Sequence, residues 1–308
     1  MKVLYWLESI RAPWLDAVML AISQLGGEIL FMAIVIALFW CMDKRKGYYL
    51  MTVGFFGIVA NQFLKLVFRV SRPWIRDPEF TIVEGARAGA TGYSFPSGHT
   101  QNAAAVLGCP ARMARKKGLK ITLWVLYALV GISRMYLGVH TPYDVGVGVV
   151  MGLVLVFGLY PFFSEKNYKP QRMYVLLGVM LALSIAFTTY TRLYPFPADI
   201  EVDNLSHGIK NGYTLTGAVA GMLAAFWLDE HYVHFQTAGS LPAHIVKCVV
   251  GLGLLLGIKT VLKPPMNALF GGDPIADAFR YAIVVFFAAG VWPMTFPWIN
   301  RLLPGKKA

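Results

Sequence analysis

The sequence predicts an all-α fold of the polytopic membrane type, a bundle of transmembrane helices. The chain has 308 residues, of which 57% are hydrophobic and only 14% are charged. Its mean hydropathy is +0.56. A soluble domain of this length would carry about a quarter charged residues, so the composition favours a membrane protein.

Nine apolar stretches are candidates for transmembrane helices, which need about 20 mostly apolar residues each. The third is the weakest, because Gln101 and Asn102 place polar groups near its start. In the fifth, Gly148 and Gly152 form a small-xxx-small pair that favours close helix packing. The predicted spans cover residues 15–41, 47–68, 97–113, 121–139, 143–163, 173–192, 213–229, 244–262 and 275–297.

Charge and cysteine usage argue against several classes of protein. The formal net charge is +12. The basic residues lie in short runs between apolar stretches, which is typical of orientation in a bilayer and does not indicate a nucleic-acid partner. The three cysteines, Cys41, Cys109 and Cys248, are scattered, and this predicts neither a disulfide framework nor a zinc site.

The first fourteen residues are not expected to be a cleavable signal. They contain charges and a proline where the core of a signal is purely apolar. We expect a surface helix instead, with one face formed by Trp6, Leu7, Ile10 and Trp14.

Two long polar stretches, residues 69–96 and 193–212, each follow an even-numbered span. Alternation of the spans therefore puts both on one side of the membrane, together with the turn at residues 139–142. Three blocks of polar residues lie at span ends on this side and can converge on one pocket. They are Lys65 with Arg72-Pro73, then Pro96-Ser97-Gly98-His99, then Ser133-Arg134 with His140 and Asp144.

The chemistry of these blocks fits a phosphate group. Guanidinium groups bind phosphate oxygens in a bidentate way, and lysine adds a point charge. A helix that begins at Ser97-Gly98 offers free backbone N–H groups to an anion. Of two histidines, one can attack phosphorus while the other protonates the leaving oxygen. Asp144 follows His140 by four residues, so it shares a helix face with it and can hold the imidazole tautomer.

Each block also has a structural interpretation. Lys65 and Arg72 are typical of interfacial anchors, and Pro-Ser-Gly-His is typical of a helix start. Asp144 can act as a capping partner, which is compatible with helping His140. Arg134 and His140 are harder to explain as structural residues, because ionisable groups at the end of an apolar span are costly. Agreement of order, spacing and sidedness favours a shared site.

Other ionisable residues give weaker indications. A carboxylate at membrane depth usually faces a cavity or a partner, so Glu28 is expected to be functional, with Lys65 or a site arginine as its partner. The alternative is that the first span starts later and Glu28 lies at the interface. His207, His231, His234 and His244 are expected to be solvated. Asp77, Glu79 and Glu84 form a small acidic group that could bind a cation, and an ion-pair network with Arg76 and Arg87 is the preferred interpretation.

The order Lys-x6-Arg-Pro, Pro-Ser-Gly-His, Ser-Arg-x5-His-x3-Asp resembles the type 2 phosphatidic acid phosphatase (PAP2) superfamily. The resemblance implies a six-helix phosphatase core over residues 1–192, with three C-terminal spans in residues 193–308. It implies that His140 is the nucleophile, oriented by Asp144, and that His99 is the general acid. It also implies a phosphate cradle, and no cofactor or metal. The cradle consists of Lys65, Arg72, Ser97, Gly98, Ser133 and Arg134.

The implied function is hydrolysis of the terminal phosphate of a lipid phosphate by a membrane enzyme. Polyprenyl diphosphate, phosphatidate, phosphatidylglycerol phosphate and sphingoid phosphate all present this group. The three further spans, with Leu-Lys-Pro-Pro at 262–265, resemble the branch of sphingosine-1-phosphate phosphatases and glucose-6-phosphatases, so a sugar phosphate is an alternative substrate. A vanadate-dependent haloperoxidase and a non-catalytic lipid-phosphate transporter are further alternatives. The membrane spans argue against a haloperoxidase, and the intact histidines argue against a transporter. The sequence does not predict an oligomeric state.

Basic loops predict that the active site faces away from the cytoplasm. Lysine and arginine in short loops favour the cytoplasmic side. The loops opposite the motifs carry Lys44, Arg45, Lys46, Arg112, Arg115, Lys116, Lys117, Lys120, Lys166, Lys169, Arg172, Arg301, Lys306 and Lys307. The motif side has a sparser set, mixed with acids such as Asp199: Lys2, Arg11, Arg69, Arg72, Arg76, Arg87, Arg192 and Lys210.

Overall fold

A computed structural model describes residues 1–198 and 200–304. These residues form fifteen α-helices, some continued by π-helical or 3-10 turns, and contain no β-strand, which confirms the all-α prediction. Asp199, Lys306 and Lys307, which enter the predicted orientation, lie outside the described residues. The helices are α1 Lys2–Ser9, α2 Pro13–Gln24, α3 Glu28–Ala37, α4 Lys44–Phe68, α5 Pro73–Arg76, α6 Gly98–Ala103, α7 Cys109–Met113, α8 Lys117–Tyr136, α9 Pro142–Phe163, α10 Pro170–Leu193, α11 Val202–Leu228, α12 Leu241–Val261, α13 Lys263–Leu269, α14 Ile275–Phe286 and α15 Phe296–Leu302.

The chain divides into two compact units that are each discontinuous in sequence. The first contains Met1–Val35, Tyr49–Pro161 and Glu201–Leu205. The second contains Ile36–Tyr48, Phe162–Ile200 and Ser206–Ala308. Every predicted site residue belongs to the first unit. The predicted division of the chain between residues 192 and 193 is a different kind of boundary, and it stays a prediction.

All nine predicted spans are helical, but only seven are long and apolar enough to cross a bilayer, counted over the described residues. Six pass this test as single stretches. The first predicted span is α2 and α3 together, bent by 45° at the break between them. By this test of length and composition the third and seventh predicted spans fall short, so the count of nine stays a prediction.

The third and seventh predicted spans fall short of this test for different reasons. The third predicted span is broken into α6, a π-helical turn at Ala104–Gly108 and α7. Every side chain from residue 100 to residue 109 is buried within the protein, so Gln101 and Asn102 do not meet lipid. The seventh corresponds to α11. Its Asp203, His207 and Lys210 precede the predicted span, and within the span Thr214, Thr216, Gly217 and Gly221 keep the mean hydropathy low.

Helix α9 packs closely against the α6 segment through two glycines. A Cβ at Gly148 would lie 2.9 Å from the carbonyl oxygen of Ser97, and one at Gly152 would lie 2.6 Å from the Cβ of Ala104. Side chains at these positions would push the helices apart, so the predicted close packing is confirmed. The backbone N–H of Ser97 also donates to the carbonyl oxygen of Asp144 at 3.0 Å, which joins the starts of the two helices.

The N-terminal segment forms a helix, but its apolar face is not the predicted one. Leu7 is buried in a cluster with Ala86, Tyr136, Leu137 and Val139, while Trp6 is 62% exposed. Trp6 and Leu7 therefore point in different directions, and α1 buries Leu7 in the protein core rather than laying all four predicted residues on a surface. Glu8 accepts hydrogen bonds from the backbone N–H and the hydroxyl of Thr81, so α1 also holds the long polar loop.

In the second unit, α11 and α14 approach each other through glycines. A Cβ at Gly217 or Gly221 would collide with the carbonyl oxygen of Ala278 or Ala282, respectively. The same helix α14 contains a buried ion pair between Asp277 and Arg280. Small residues at the contact allow the backbones to come close enough for van der Waals packing to hold the pair together.

Gly217→Ala should destabilise the protein, although alanine is the better helix former. The added methyl group meets backbone, which cannot rotate away, and overpacking of this kind costs about 1–3 kcal/mol. Gly253→Ala is the matched control, because a Cβ there meets nothing within 4 Å. The control should gain up to about 1 kcal/mol from helix propensity. Thermal unfolding in detergent measures both, and equal midpoints for the two variants would contradict the packing described here.

Candidate functional site

Two cations at the end of α4 and the start of α5 are held by backbone carbonyl groups. Lys65 is buried, and its Nζ donates to the carbonyl oxygen of Thr91 at 3.2 Å. Arg72 is buried as well. Its Nε donates to Gly92 at 3.0 Å and its Nη2 to Thr91 at 2.7 Å. Gly92 has φ of +68°, a conformation that favours glycine, so the loop can turn its carbonyl groups towards these side chains.

The guanidinium of Arg72 also reaches the predicted nucleophile. Its Nη1 donates to the carbonyl oxygen of Val139 at 3.0 Å and lies 3.0 Å from Nε2 of His140. A guanidinium has no acceptor, so Nε2 must be the acceptor in this contact. A neutral His140 ring therefore carries its proton on Nδ1, and its free electron pair is on Nε2.

Nδ1 of His140 faces Asp144. The distance to Oδ2 is 3.6 Å, and the hydroxyl oxygen of Ser94 lies 3.5 Å from the same Nδ1. Oδ2 of Asp144 accepts hydrogen bonds from the hydroxyl of Ser94 at 2.6 Å and from the backbone N–H of Thr141 at 2.7 Å. Asp144 thus caps the start of α9 and faces His140 at the same time, so its two predicted roles are compatible.

Burial and charge keep the His140 ring neutral. Burial lowers the pKa of this imidazole well below its usual value, and the positive charges of Arg72, Arg134 and Lys65 lower it further. The ring is therefore neutral at neutral pH, with its single N–H proton on Nδ1. A neutral imidazole with a free electron pair is the form that can act as a nucleophile.

Arg134 is a buried cation with unused hydrogen-bond donors. It is only 2% exposed, and its Nη1 donates to the hydroxyl of Ser23 at 2.7 Å. Its Nε and Nη2 have no partner among the described residues. Buried donors are normally paired, so this arrangement fits a site that receives an anion.

The two predicted serines are engaged in local structure. Ser97 caps α6, because its Oγ accepts from the backbone N–H of Thr100 at 3.4 Å and lies 2.9 Å from the hydroxyl of that residue. The hydroxyl of Ser133 donates to the carbonyl oxygen of Val130 at 2.7 Å, within α8. Their part in binding phosphate stays a prediction.

A cleft of about 100 Å³ joins these elements. Lys65, Arg72, Gly98, His99 and His140 line it. The His99 ring lies against Gly89, where a Cβ would be 3.6 Å from Cε1. Four other predicted site residues are buried behind this lining: Ser97, Ser133, Arg134 and Asp144. The structure thus gathers all three motif blocks at one cleft.

Several polar residues at the cleft were not among the predicted site residues. Ser94 bridges His140 and Asp144, and Asn61 donates from its Nδ2 to the carbonyl oxygen of Pro96 at 3.1 Å. Gln101 and Asn102 also line the cleft, although in the sequence they indicate only that the third predicted span has polar residues near its start. For Asn61 a signal was present, because it precedes Lys65 by four residues and so shares its helix face. Ser94 had no comparable periodic signal.

The other ionisable groups follow their predictions in part. Glu84 pairs with Arg87 at 2.8 Å, and Asp77 accepts from the hydroxyl of Tyr5 at 2.9 Å rather than from Arg76. Three of the four remaining histidines are exposed as predicted, whereas His244 is half-buried. Within the described residues, no three His, Cys, Asp or Glu side chains are grouped so that they could hold a metal ion.

Comparison with known proteins finds the same family in both halves of the chain. Residues 45–168 match the PAP2 superfamily. Residues 213–302 match the transmembrane extension of PAP2 superfamily phosphatases.

Two relatives and one solved structure illustrate the match. Phosphatidylglycerophosphatase B of Bacillus subtilis is 34% identical over 51% of this chain and 79% of its own length. A dihydrosphingosine 1-phosphate phosphatase of Schizosaccharomyces pombe is 27% identical over 91% of this chain and 69% of its own length. The crystal structure of a transmembrane PAP2-type phosphatidylglycerolphosphate phosphatase from Bacillus subtilis is 31% identical. It covers 55% of this chain and 85% of that chain, with a TM-score of 0.45.

The motif blocks at residues 65–144 lie inside the matched region 45–168. Up to seven of the described helical stretches are long and apolar enough to cross a bilayer, and residues 213–302 match a transmembrane extension. The first relative is more than 30% identical over more than two thirds of its length. The chain therefore belongs to the PAP2 superfamily, and it is an integral-membrane phosphatase.

Proposed function

We propose that this enzyme hydrolyses the terminal phosphate of a lipid phosphate or diphosphate through a phosphohistidine on His140, without a metal ion. The contact between Arg72 Nη1 and His140 Nε2 carries the proposal, because it fixes the tautomer with a free electron pair directed at the cationic cleft. Relatives named as phosphatases of phosphatidylglycerol phosphate, undecaprenyl diphosphate and dihydrosphingosine phosphate support a lipid substrate. The membrane spans support it too, since a lipid can enter with its tail in the bilayer.

Positive charge replaces the metal in this mechanism. Loose phosphoryl-transfer transition states need mainly positioning and charge stabilisation. Lys65, Arg72 and Arg134 supply three cations, and the unused donors of Arg134 are suited to phosphate oxygens. A phosphate oxygen replaces Nε2 as the acceptor for Arg72 Nη1, which frees the nucleophile. Gly98 lets the backbone approach the anion, while Ser97 and Ser133 complete the cradle.

Two displacements complete the reaction. Nε2 of His140 attacks phosphorus while the bond from phosphorus to the lipid oxygen breaks, and His99 gives that oxygen a proton. The neutral His99 then takes a proton from water, whose oxygen attacks phosphorus as the bond to Nε2 breaks. Inorganic phosphate and free His140 result. Asp144 and Ser94, which face Nδ1–H, hold the orientation of the imidazole and stabilise its positive charge during both steps.

The proposed architecture is a core over residues 1–192 and an extension over 193–308, with the active site on the extracytoplasmic side. The end of the core match at residue 168 and the start of the extension match at residue 213 support the division. Dense basic loops opposite the motifs support the orientation. Lys44–Lys46 and Arg115–Lys117 are the strongest of them.

His140→Ala should abolish turnover, with a loss beyond about a thousandfold, because the nucleophile acts as part of a unit. Release of inorganic phosphate from a panel of lipid phosphates in detergent measures this. His207→Ala, an exposed histidine outside the cleft, is the control and should keep normal activity. If the chain were a transporter or a binding protein, neither the wild type nor His207→Ala would release phosphate. Near-normal activity of His140→Ala would refute the mechanism.

Activity should persist in excess EDTA and should be inhibited by vanadate. The cradle is formed by cations, and vanadate resembles the transition state of phosphoryl transfer. Initial rates with EDTA, with added magnesium and with increasing vanadate test this directly. A strict requirement for magnesium would contradict the proposed mechanism.

Cysteine labelling tests the orientation. In a background free of Cys41, Cys109 and Cys248, a cysteine replacing the exposed Ala88 should react with an impermeant thiol reagent on intact cells. A cysteine replacing the exposed Lys117 should react only after the membrane is opened. The reverse pattern would place the active site on the cytoplasmic side.

A further inference from the structure

The active-site cleft continues beyond the phosphate cradle, along one face of α4. Ile58, Asn61, Gln62 and Lys65 all line it, and their spacing of three and four residues puts them on one helix face. Seven residues separate Ile58 from Lys65, which is about 10 Å along a helix axis. The cleft therefore has room for the part of a substrate that adjoins its phosphate.

This inner part of the cleft contains polar atoms without partners. Gln101 and Asn102 line it and are only 1% and 6% exposed. Nδ2 of Asn102 donates to the carbonyl oxygen of Gly26 at 2.9 Å, which orients the side chain. Its Oδ1, an acceptor, and Nε2 of Gln101, a donor, have no hydrogen-bond partner among the described residues. A buried donor and a buried acceptor at the cleft are suited to a ligand group such as a hydroxyl, which can both donate and accept.

A carboxylate lies on the same inner part. Glu28 lines the cleft at the start of α3, where the first span bends. Phe31 contacts α4 at Gly54, so the antiparallel course of the two helices puts Glu28 level with residues 57–58. Side chains tilt towards the N-terminus of their own helix. From this tilt we expect the Glu28 side chain to extend towards the end of α4 that carries Lys65.

Glu28 and Lys65 nevertheless do not form an ion pair. Among the described residues, Glu28 makes no ion pair at all, while Nζ of Lys65 donates to Thr91. The predicted partner is thus occupied elsewhere. A carboxylate beside a phosphate site would repel the substrate unless the substrate brings its own cation.

We propose that Glu28 binds an ammonium group of the substrate, with Gln101 and Asn102 binding an adjacent hydroxyl. The substrate class is then a single-chain lipid phosphate that carries a free amine and a hydroxyl on the carbons next to the phosphate ester. This inference rests on the proposed function, because it concerns the same cleft. It assigns Glu28 a role in specificity and none in the chemical step.

Two matched substrates test the assignment. Dihydrosphingosine 1-phosphate carries the ammonium group, and its N-acetyl derivative keeps the phosphate, hydroxyl and chain but has no charge on nitrogen. Loss of a charge-assisted hydrogen bond should lower kcat/KM of Glu28→Gln for the amine by about tenfold or more. The N-acetyl substrate should change less than about twofold, since it makes no ion pair to lose. Glu79→Gln, an exposed change outside the cleft, should alter neither substrate.

Each outcome separates this inference from the proposed function. If the wild type hydrolyses neither substrate and no other lipid phosphate, the proposed function fails. If it hydrolyses lipid phosphates but shows no preference for the free amine, only the assignment of Glu28 fails. An equal loss on both substrates in Glu28→Gln, with a lowered unfolding midpoint, would mean that Glu28 only stabilises the start of α3 and would also overturn the assignment.

Discussion

The guanidinium of Arg72 holds the site together. It donates to carbonyl groups of Thr91 and Gly92 in the long polar loop and of Val139 after α8, and it contacts His140. A buried arginine needs all of these partners, because an unpaired buried charge is strongly destabilising. Arg72 therefore fixes the positions of the loop and of the turn after α8. Its contact with Nε2 also fixes the tautomer of His140.

The remaining cations follow a different rule. Among the described residues, Arg134 is buried with two nitrogens unpaired, and Lys65 donates to one carbonyl group, that of Thr91. Three positive charges close together repel each other, so an anion in the cleft lowers the electrostatic energy of the site. In the proposed mechanism this gain contributes to the binding of the substrate phosphate.

Depth in the membrane shapes the rest of the cleft. Polar side chains at bilayer depth are tolerated only where protein surrounds them or a cavity receives them. The α6 segment satisfies the first condition, because residues 100–109 are buried and Gly148 and Gly152 let α9 cover it closely. Glu28 satisfies the second condition, since it lines the cleft at the bend between α2 and α3. A broken span and a buried short helix are thus what allow a polar cleft to extend inwards from the cradle.

Local sequence was sufficient for the helical class and for the motif residues. Apolar runs long enough to span a membrane predict helices. The spacing of the polar residues within the three motif blocks predicts the candidate site residues, which include Lys65, Arg72, His99, Arg134, His140 and Asp144. Alternation of spans then put the three blocks on one side, and the cleft unites them. The third predicted span is a broken helix buried in protein, which hydropathy alone does not distinguish from a single helix that faces lipid.

Tertiary structure decided which partner each polar group has. Ser94 reaches His140 and Asp144 from 46 and 50 residues away, a contact that no periodic pattern encodes. Lys65 donates to Thr91 and does not pair with Glu28. Trp6 is exposed and Leu7 is buried, although the helical pattern predicts that they share one face. Periodicity specifies the face of one helix, whereas hydrogen-bond partners depend on how helices and loops that are distant in sequence come together.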